Sequence, residues 1–458
     1  MPKVLNDVSN RGVSTGSPLV DAPLLPTFMR LAVPGVIGSI IQMSLIVVEI
    51  FLLSRAGTAA LAAVATVFPL IMLATMLSAG AIGGAISGAV ARALGANDLA
   101  QAHSILRGAI FIAILGGFVM GAFVIIFGSS FFFWVGAREE VLQAANVYGG
   151  IVFLGMPLVW LFNMMCSVLR GAGAMTRSAM AMASVVTAYA LLGFWLMPHE
   201  AGATDLSETM GLAARILLAA YGVGVLSAFC LIMLPGQPVR FNGYRIEWRI
   251  VNSLLRSGLL AGTQSTATIV YSLIATGVLG QFGVQWLAGY GLAVRLELVM
   301  VPVIFGVGSA LIAIVGAYSG AGQRERAIQI AWRGSIFNIA IVGAIGITVG
   351  LNADWWCGPL GSSLGVIAHC ETTLQTLGPF YGFFAAGLGL YFASQGLNTL
   401  MWPVLGSLLR MLVVMSGLLW FRFNWLNTPQ EFLWLIAAAM SFYGVFVVAG
   451  LKFSAWRT

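Results

Sequence analysis

Charge is what this chain has least of. Asp, Glu, Lys and Arg supply 8% of its 458 residues, and only Lys3 and Lys452 are lysines. A soluble globular chain carries about a quarter charged residues. With hydrophobic residues at 60% and a mean hydropathy of +0.97, this is a polytopic membrane protein. The shortage of lysine also removes a nucleotide-driven pump, because a P-loop needs the lysine of GxxxxGK[ST] to reach the phosphates and neither lysine has that context. Histidine is equally scarce: His103, His199 and His369 fall at expected loop or span ends, which argues against a membrane-embedded enzyme. The four cysteines show no CxxC spacing, so neither a metal site nor thioredoxin-like chemistry is indicated. The first thirty residues lack the apolar run of a cleaved signal peptide. No basic cluster exceeds a few residues, so the net charge of +7 reads as a topology signal and nucleic acid is not a partner.

Long apolar runs are what the chain does have. A spanning helix needs about 20 largely apolar residues, and the breaks give twelve stretches: 30–53, 58–91, 105–127, 142–168, 176–198, 209–235, 254–281, 285–318, 330–351, 372–394, 402–423 and 430–450. With the N-terminus inside, Lys3, Arg11, Arg92, Arg107, Arg240, Arg245, Arg249, Arg324 and Arg326 gather on one side. Glu139, Glu140, Glu200, Asp205, Glu208, Asp354 and Glu431 gather on the other. Basic loops mark the cytoplasmic side, so both termini are expected there.

Residues 30–111 repeat at 256–337 with an offset of 226. Arg30 meets Arg256, Gly57 meets Gly283, Gly80 meets Gly306 and the Arg107-Gly pair meets Arg333-Gly; "GANDLAQA" (Gly95–Ala102) resembles "GAGQRERA" (Gly320–Ala327) after a one-residue slip. Six spans per half make the repeat parallel, and such repeats commonly hold substrate between them. The fold class is therefore all-α, with about twelve transmembrane helices in two six-helix lobes. The expected divisions are a tail at 1–27, an N-lobe at 28–235, a linker at 236–253, a C-lobe at 254–451 and a tail at 452–458.

Few ionisable residues lie within spans, and a charge at the bilayer centre costs about 3 kcal/mol on insertion scales, so a retained one faces a cavity or a partner. Glu49 stands alone in "SLIVVEIFLL". Arg215 and Arg410 lie near enough to span ends to snorkel. Arg295 and Glu297 are two apart and point away from each other, so one of them needs a partner on another helix. Gln42 shares the Glu49 face, and Gln264, Thr268 and Tyr271 form a stripe on the seventh span, with Gln42 and Thr268 equivalent in the repeat. Both stripes are expected to face a shared interior, either as substrate contacts or as interhelical hydrogen-bond glue. Gly80, Gly84 and Gly88 read as a packing ridge.

"RLAVPGVIGSIIQ", "VVEIFLLSRAGTAALAAVA", "ARALGANDLAQA", "VLRGAGAMTRSAM" and "LAGYGLAVRLELVMVPVIFGVGSALIAIVGAYSGAG" occur in this order over residues 28–450, and together they resemble the multidrug and toxic compound extrusion (MATE) transporters. The resemblance implies a central cleft between two lobes, alternating access, and export of amphipathic, often cationic compounds in exchange for protons or sodium. It puts Glu49 at the family's acidic position on the first helix and matches Arg295 and Glu297 to the motif on the eighth. Where some members carry acids on helices 7 and 10, this chain has Thr268 and Phe384; where others carry Asn and Asp on helix 5, it offers Ser184, Thr187 and Tyr189. Sodium wants several oxygen ligands and a proton needs one titratable group, so proton coupling through Glu49 is the expectation, with no further cofactor. An apolar setting disfavours a bare carboxylate, which suits loading and unloading of a proton. The partners are then a small amphipathic substrate and the lipid bilayer, with the chain a monomer in the inner (plasma) membrane. A lipid-linked oligosaccharide flippase and a membrane-embedded enzyme or sensor are the alternatives.

Cys357 and Cys370 share the outer loop "WWCGPLGSSLGVIAHC" and either bridge it or stand as two separate buried thiols. The topology has a direct check. A cysteine placed at Ser17 should be labelled by an impermeant maleimide only from the cytoplasm, and one at Thr204 only from outside; the reverse pattern would overturn every loop assignment.

Overall fold

The computed structural model describes residues 18–197, 205–241, 243, 245–361, 363–422 and 428–456. Most of the expected N-terminal tail, including Lys3, Asp7, Arg11 and Ser17, lies outside them, as do His199, Glu200, Thr204 and Arg457. Among the described residues there is no strand. The spans are α1 (Leu24–Ser54), α2 (Thr58–Gly95), α3 (Leu99–Val135), α4 (Glu139–Leu154 and Met156–Gly171), α5 (Met175–Leu196) and α6 (Leu206–Met233). They continue as α7 (Trp248–Gly280), α8 (Val284–Gly320), α9 (Arg324–Leu351), α10 (Leu364–Leu377 and Tyr381–Leu397), α11 (Met401–Arg422) and α12 (Pro429–Gly450).

Nine of these are long and apolar enough to cross a membrane, and the two pieces of α4, bent by 50° at Gly155, make a tenth. The other two carry their polarity inside. Helix α7 buries Gln264 and Ser265, and α10 is broken by the 3₁₀ turn Gly378–Phe380. Helix α1 starts sooner than the expected span, and the short helix Pro18–Asp21 before it is held by Tyr318, whose hydroxyl donates to the Val20 carbonyl at 3.1 Å. Helix α7 likewise begins inside the expected 236–253 linker, where Arg107 pairs with Glu247 at 3.7 Å.

The backbone carries the repeat in its turns. Positive φ occurs at Gly57 (103°) and Gly283 (117°), 226 apart, and at Asn97 (58°) and Gly322 (76°), 225 apart. Gly173 (73°) and Asn398 (58°) are also 225 apart. The change from 226 to 225 has a local cause: α2 contains a π-helical turn, Met76–Ile82, whereas α8 runs as α-helix throughout. A π turn accommodates one extra residue, and that residue is the slip seen in the sequence.

One apolar core draws on residues 45–254 and a second almost wholly on residues 261–440, one for each lobe. A third joins Phe28, Leu31 and Ala32 of α1 to α8, α9, α10 and α12. The lobes meet closely where α2 and α8 end. A Cβ on Gly95 would collide with the Ala317 carbonyl, and one on Gly320 with the Arg92 carbonyl. Each partner is the repeat equivalent of the other, so the contact is symmetric about the axis relating the halves. Arg92 adds a bond that has no counterpart in the other half. Its Nη1 donates to the carbonyls of Gln395 (3.0 Å) and Gly396 (2.7 Å) at the end of α10, where the exposed carbonyls and the helix dipole favour a cation. Gly84 and Gly88 make room for Gln395, whose Nε2 donates to the Gly80 carbonyl at 3.1 Å. The glycine ridge is thus a cross-lobe packing surface.

Cys357 and Cys370 are joined in a disulfide, with Cα atoms 5.9 Å apart. Separate thiols is therefore the wrong reading of that loop. The bridge ties the short helix Asp354–Leu360 to α10, and Trp356 donates to the Leu292 carbonyl of α8 at 3.0 Å.

A Cβ on Gly316 would sit 2.8 Å from that of its equivalent, Ala91. Cysteines at Ala91 and Gly316 should therefore cross-link within one chain on mild oxidation, seen by peptide mapping. If the pair stays reduced, α2 and α8 do not cross there.

Candidate functional site

Each lobe turns one acid inward, Glu49 buried and Glu297 half-buried. Glu49 shares a helical face with Leu45, Leu52 and Leu53, all buried in the N-lobe core, and that packing carries the carboxyl inward with it. Glu49 is 8% exposed and accepts a hydrogen bond from the Tyr148 hydroxyl of α4. Tyr189 of α5 and Tyr221 of α6 lie within its electrostatic reach. Among the described residues, no cation lies within its electrostatic reach. The pocket is one carboxyl among phenols.

The C-lobe acid is arranged otherwise. Glu297 turns into the lobe among Tyr271, Tyr290 and Tyr381, within reach of the Arg410 guanidinium. Arg410 is 2% exposed. It lies over the rings of Tyr271 (4.4 Å), Tyr443 (5.1 Å) and Phe384 (5.2 Å), and its Nη2 donates to Thr268 Oγ1 at 3.3 Å. Stacking of this kind recovers part of the hydration a buried guanidinium gives up.

The expected shared interior does not form between the two polar stripes. Gln264, Thr268 and Tyr271 face the inside of the C-lobe around Arg410, and Thr268 spends its hydroxyl proton on the Gln264 carbonyl at 3.0 Å. Gln42 instead lines a cavity of about 30 Å³ between α1, α2, α4, α5 and α8, with Asn163, Arg170 and Phe305 in its wall. Tyr189 reaches the Glu49 pocket, but Thr187, two residues away, is exposed. Arg295 is exposed as well, on the α8 stripe with Gly291 and Val299, so the structure does not bring it to the Glu297 site. A two-residue spacing sends alternate side chains to opposite helix faces, which accounts for both separations.

A family model described as MatE matches residues 34–195 and again 261–420, once in each half. The chain belongs to the MatE family. It is a transporter, not an enzyme. This MatE chain is 25% identical over 318 residues to a protein named FAD transporter from Shewanella oneidensis, covering 68% of this chain and 69% of that one. It is 20% identical over 316 residues to a probable multidrug resistance protein NorM from Thermotoga maritima, covering 69% and 68%. Among solved structures it resembles MATE in complex with MaL6 (TM-score 0.85, 20% identity, 96% of this chain and 98% of that one). It also resembles an outward-facing MATE transporter (TM-score 0.83, 20% identity, 94% and 96%).

Sequence reasoning missed several residues that the MatE fold gathers. Arg410, read as able to snorkel, is instead the buried partner that the Glu297 helix requires. It lies nine residues inside α11, about 13 Å from the helix start at 1.5 Å per residue. A side chain that far from the end does not reach water, and that depth was the available signal. Tyr148 and Tyr221 carried none, because a lone tyrosine in an apolar span looks like core.

Removing a buried guanidinium from the reach of a half-buried acid leaves that acid without its counter-charge. Arg410→Ala should therefore lower the melting temperature in detergent sharply, and adding Glu297→Gln to it should recover part of the loss. Strict additivity of the two changes would show that the charges do not interact.

Proposed function

We propose that this MatE transporter is a secondary antiporter that exports amphipathic small molecules in exchange for protons by alternating access, acting as a monomer in the inner membrane with both termini in the cytoplasm. The observation that carries the coupling is Glu49: a carboxyl 8% exposed, hydrogen-bonded by Tyr148, with no cation in reach. A bare carboxylate there has only one phenol to stabilise it, so closing the pocket around it calls for a neutralising proton. Sodium would need several oxygen ligands, and the surrounding groups are phenols, one of which already donates to the acid. Glu297, unlike Glu49, has a guanidinium within reach, that of Arg410, so we assign it a supporting role.

The disulfide between Cys357 and Cys370 supports the orientation. It lies between α9 and α10, at the opposite end of the spans from the start of α1 and the end of α12, and disulfides persist on oxidising, extracytoplasmic sides of membranes. The two named relatives support export of organic molecules but differ in what their names say they carry. The expectation of an often cationic substrate rests on the sequence resemblance to MATE transporters.

In proteoliposomes with an imposed proton gradient, Glu49→Gln should insert normally and lose gradient-driven export at least tenfold, with the remaining rate flat in pH. Glu49→Asp should keep part of the activity at a shifted optimum. Wild-type rates in Glu49→Gln, together with their loss in Glu297→Gln, would move the coupling to α8.

A further inference from the structure

Three arginines are held inside the transporter, and two have obvious partners: Arg92 the α10 carbonyls, and Arg410 the ring cage, Thr268 and Glu297. Arg170 does not. Its Nη2 donates to Ser167 Oγ at 2.7 Å and to the Ala79 carbonyl at 3.4 Å. A guanidinium has five N–H donors, and those on Nε and Nη1 have no partner among the described residues. Among the described residues no carboxylate lies within its reach, and its titratable neighbour is the Cys166 thiol. Its charge borders the cavity that Gln42, Asn163 and Ser178 also line. The guanidinium lies 5.5 Å from the Phe305 ring centroid, and Phe162 supplies a second aromatic wall.

The place of this cavity in the molecule matters as much as its chemistry. It is walled by four N-lobe helices and by α8 of the C-lobe, so it sits on the boundary that alternating access opens and closes. Its volume of about 30 Å³ has room for about two waters, the scale of one carboxylate or phosphate group rather than of a whole ligand. A planar cation with free N–H donors matches either group. We infer that the Arg170 cavity is the subsite for an anionic headgroup, phosphate or carboxylate, of an amphipathic aromatic substrate. This rests on the reading that the chain moves such molecules, and it replaces the cationic substrate expected from sequence.

Binding to the purified full-length protein tests the subsite without any gradient, so a failure of the antiporter reading would show in transport and not here. FAD and riboflavin share one ring system, and only FAD carries phosphates; quenching of flavin fluorescence follows both. Wild type should bind FAD at least tenfold more tightly than riboflavin. Arg170→Gln should erase that difference, Arg170→Lys should retain part of it, and riboflavin affinity should stay constant throughout. Ser178→Asp places a carboxylate in the same cavity and should weaken FAD alone, which keeps the test open if Arg170→Gln does not fold. Equal wild-type affinities for the two flavins, or a preference for FAD that survives both substitutions, would overturn the assignment. Displacement of FAD by phosphatidylglycerol would overturn it too, giving the cavity to a lipid headgroup.

Discussion

A charge inside a bilayer has only protein to solvate it, and the interior of this transporter is organised by that shortage. Of the acids and arginines held within the spans, four show how differently the constraint is met. Arg92 uses the carbonyls that a helix end leaves over. Arg410 uses aromatic faces and a distant acid. Glu49 uses a phenol, and Arg170 borders a cavity. The first two engage carbonyls, rings and a hydroxyl of the protein itself, although the buried Arg410 Nε keeps no hydrogen-bond partner among the described residues. The last two are incomplete, and a transporter needs incompleteness where its cargo binds.

Twelve spans, the parallel repeat and the place of Glu49 were legible because they are written in composition and periodicity. Charge is so rare here that each interruption of an apolar run marks a helix end, and the basic side separates from the acidic side without an alignment. The turns repeat because Gly57 and Gly283 adopt backbone angles that few other residues tolerate. What stayed hidden is what depends on rotation about the helix axis. Residues 295 and 297, or 187 and 189, are neighbours in the chain and strangers in the fold. The tyrosines around both acids arrive from six different helices, and no spacing in the sequence connects them. The disulfide was open to either reading because a spacing of 13 residues permits a bridge and does not require one.

The two halves share an origin and no longer share chemistry. Glu49 corresponds to Ala275 and Glu297 to no acid in the first half, so each lobe has its own carboxyl at its own depth. Arg92 corresponds to Ala317, which leaves the bond to α10 on one side only. Symmetry survives at the backbone, where Gly95 and Gly320 let each helix meet the other's carbonyl.

The π turn in α2 shows how that backbone symmetry outlasted an insertion. One residue added to a plain α-helix turns everything after it by about 100°. The wider turn at Met76–Ile82 takes up the extra residue, and Arg92 and Gly95 still meet Gly320 and Ala317 across the lobe boundary. Such a turn lets a duplicated half change length inside a span without re-aiming the surface on which the two halves close.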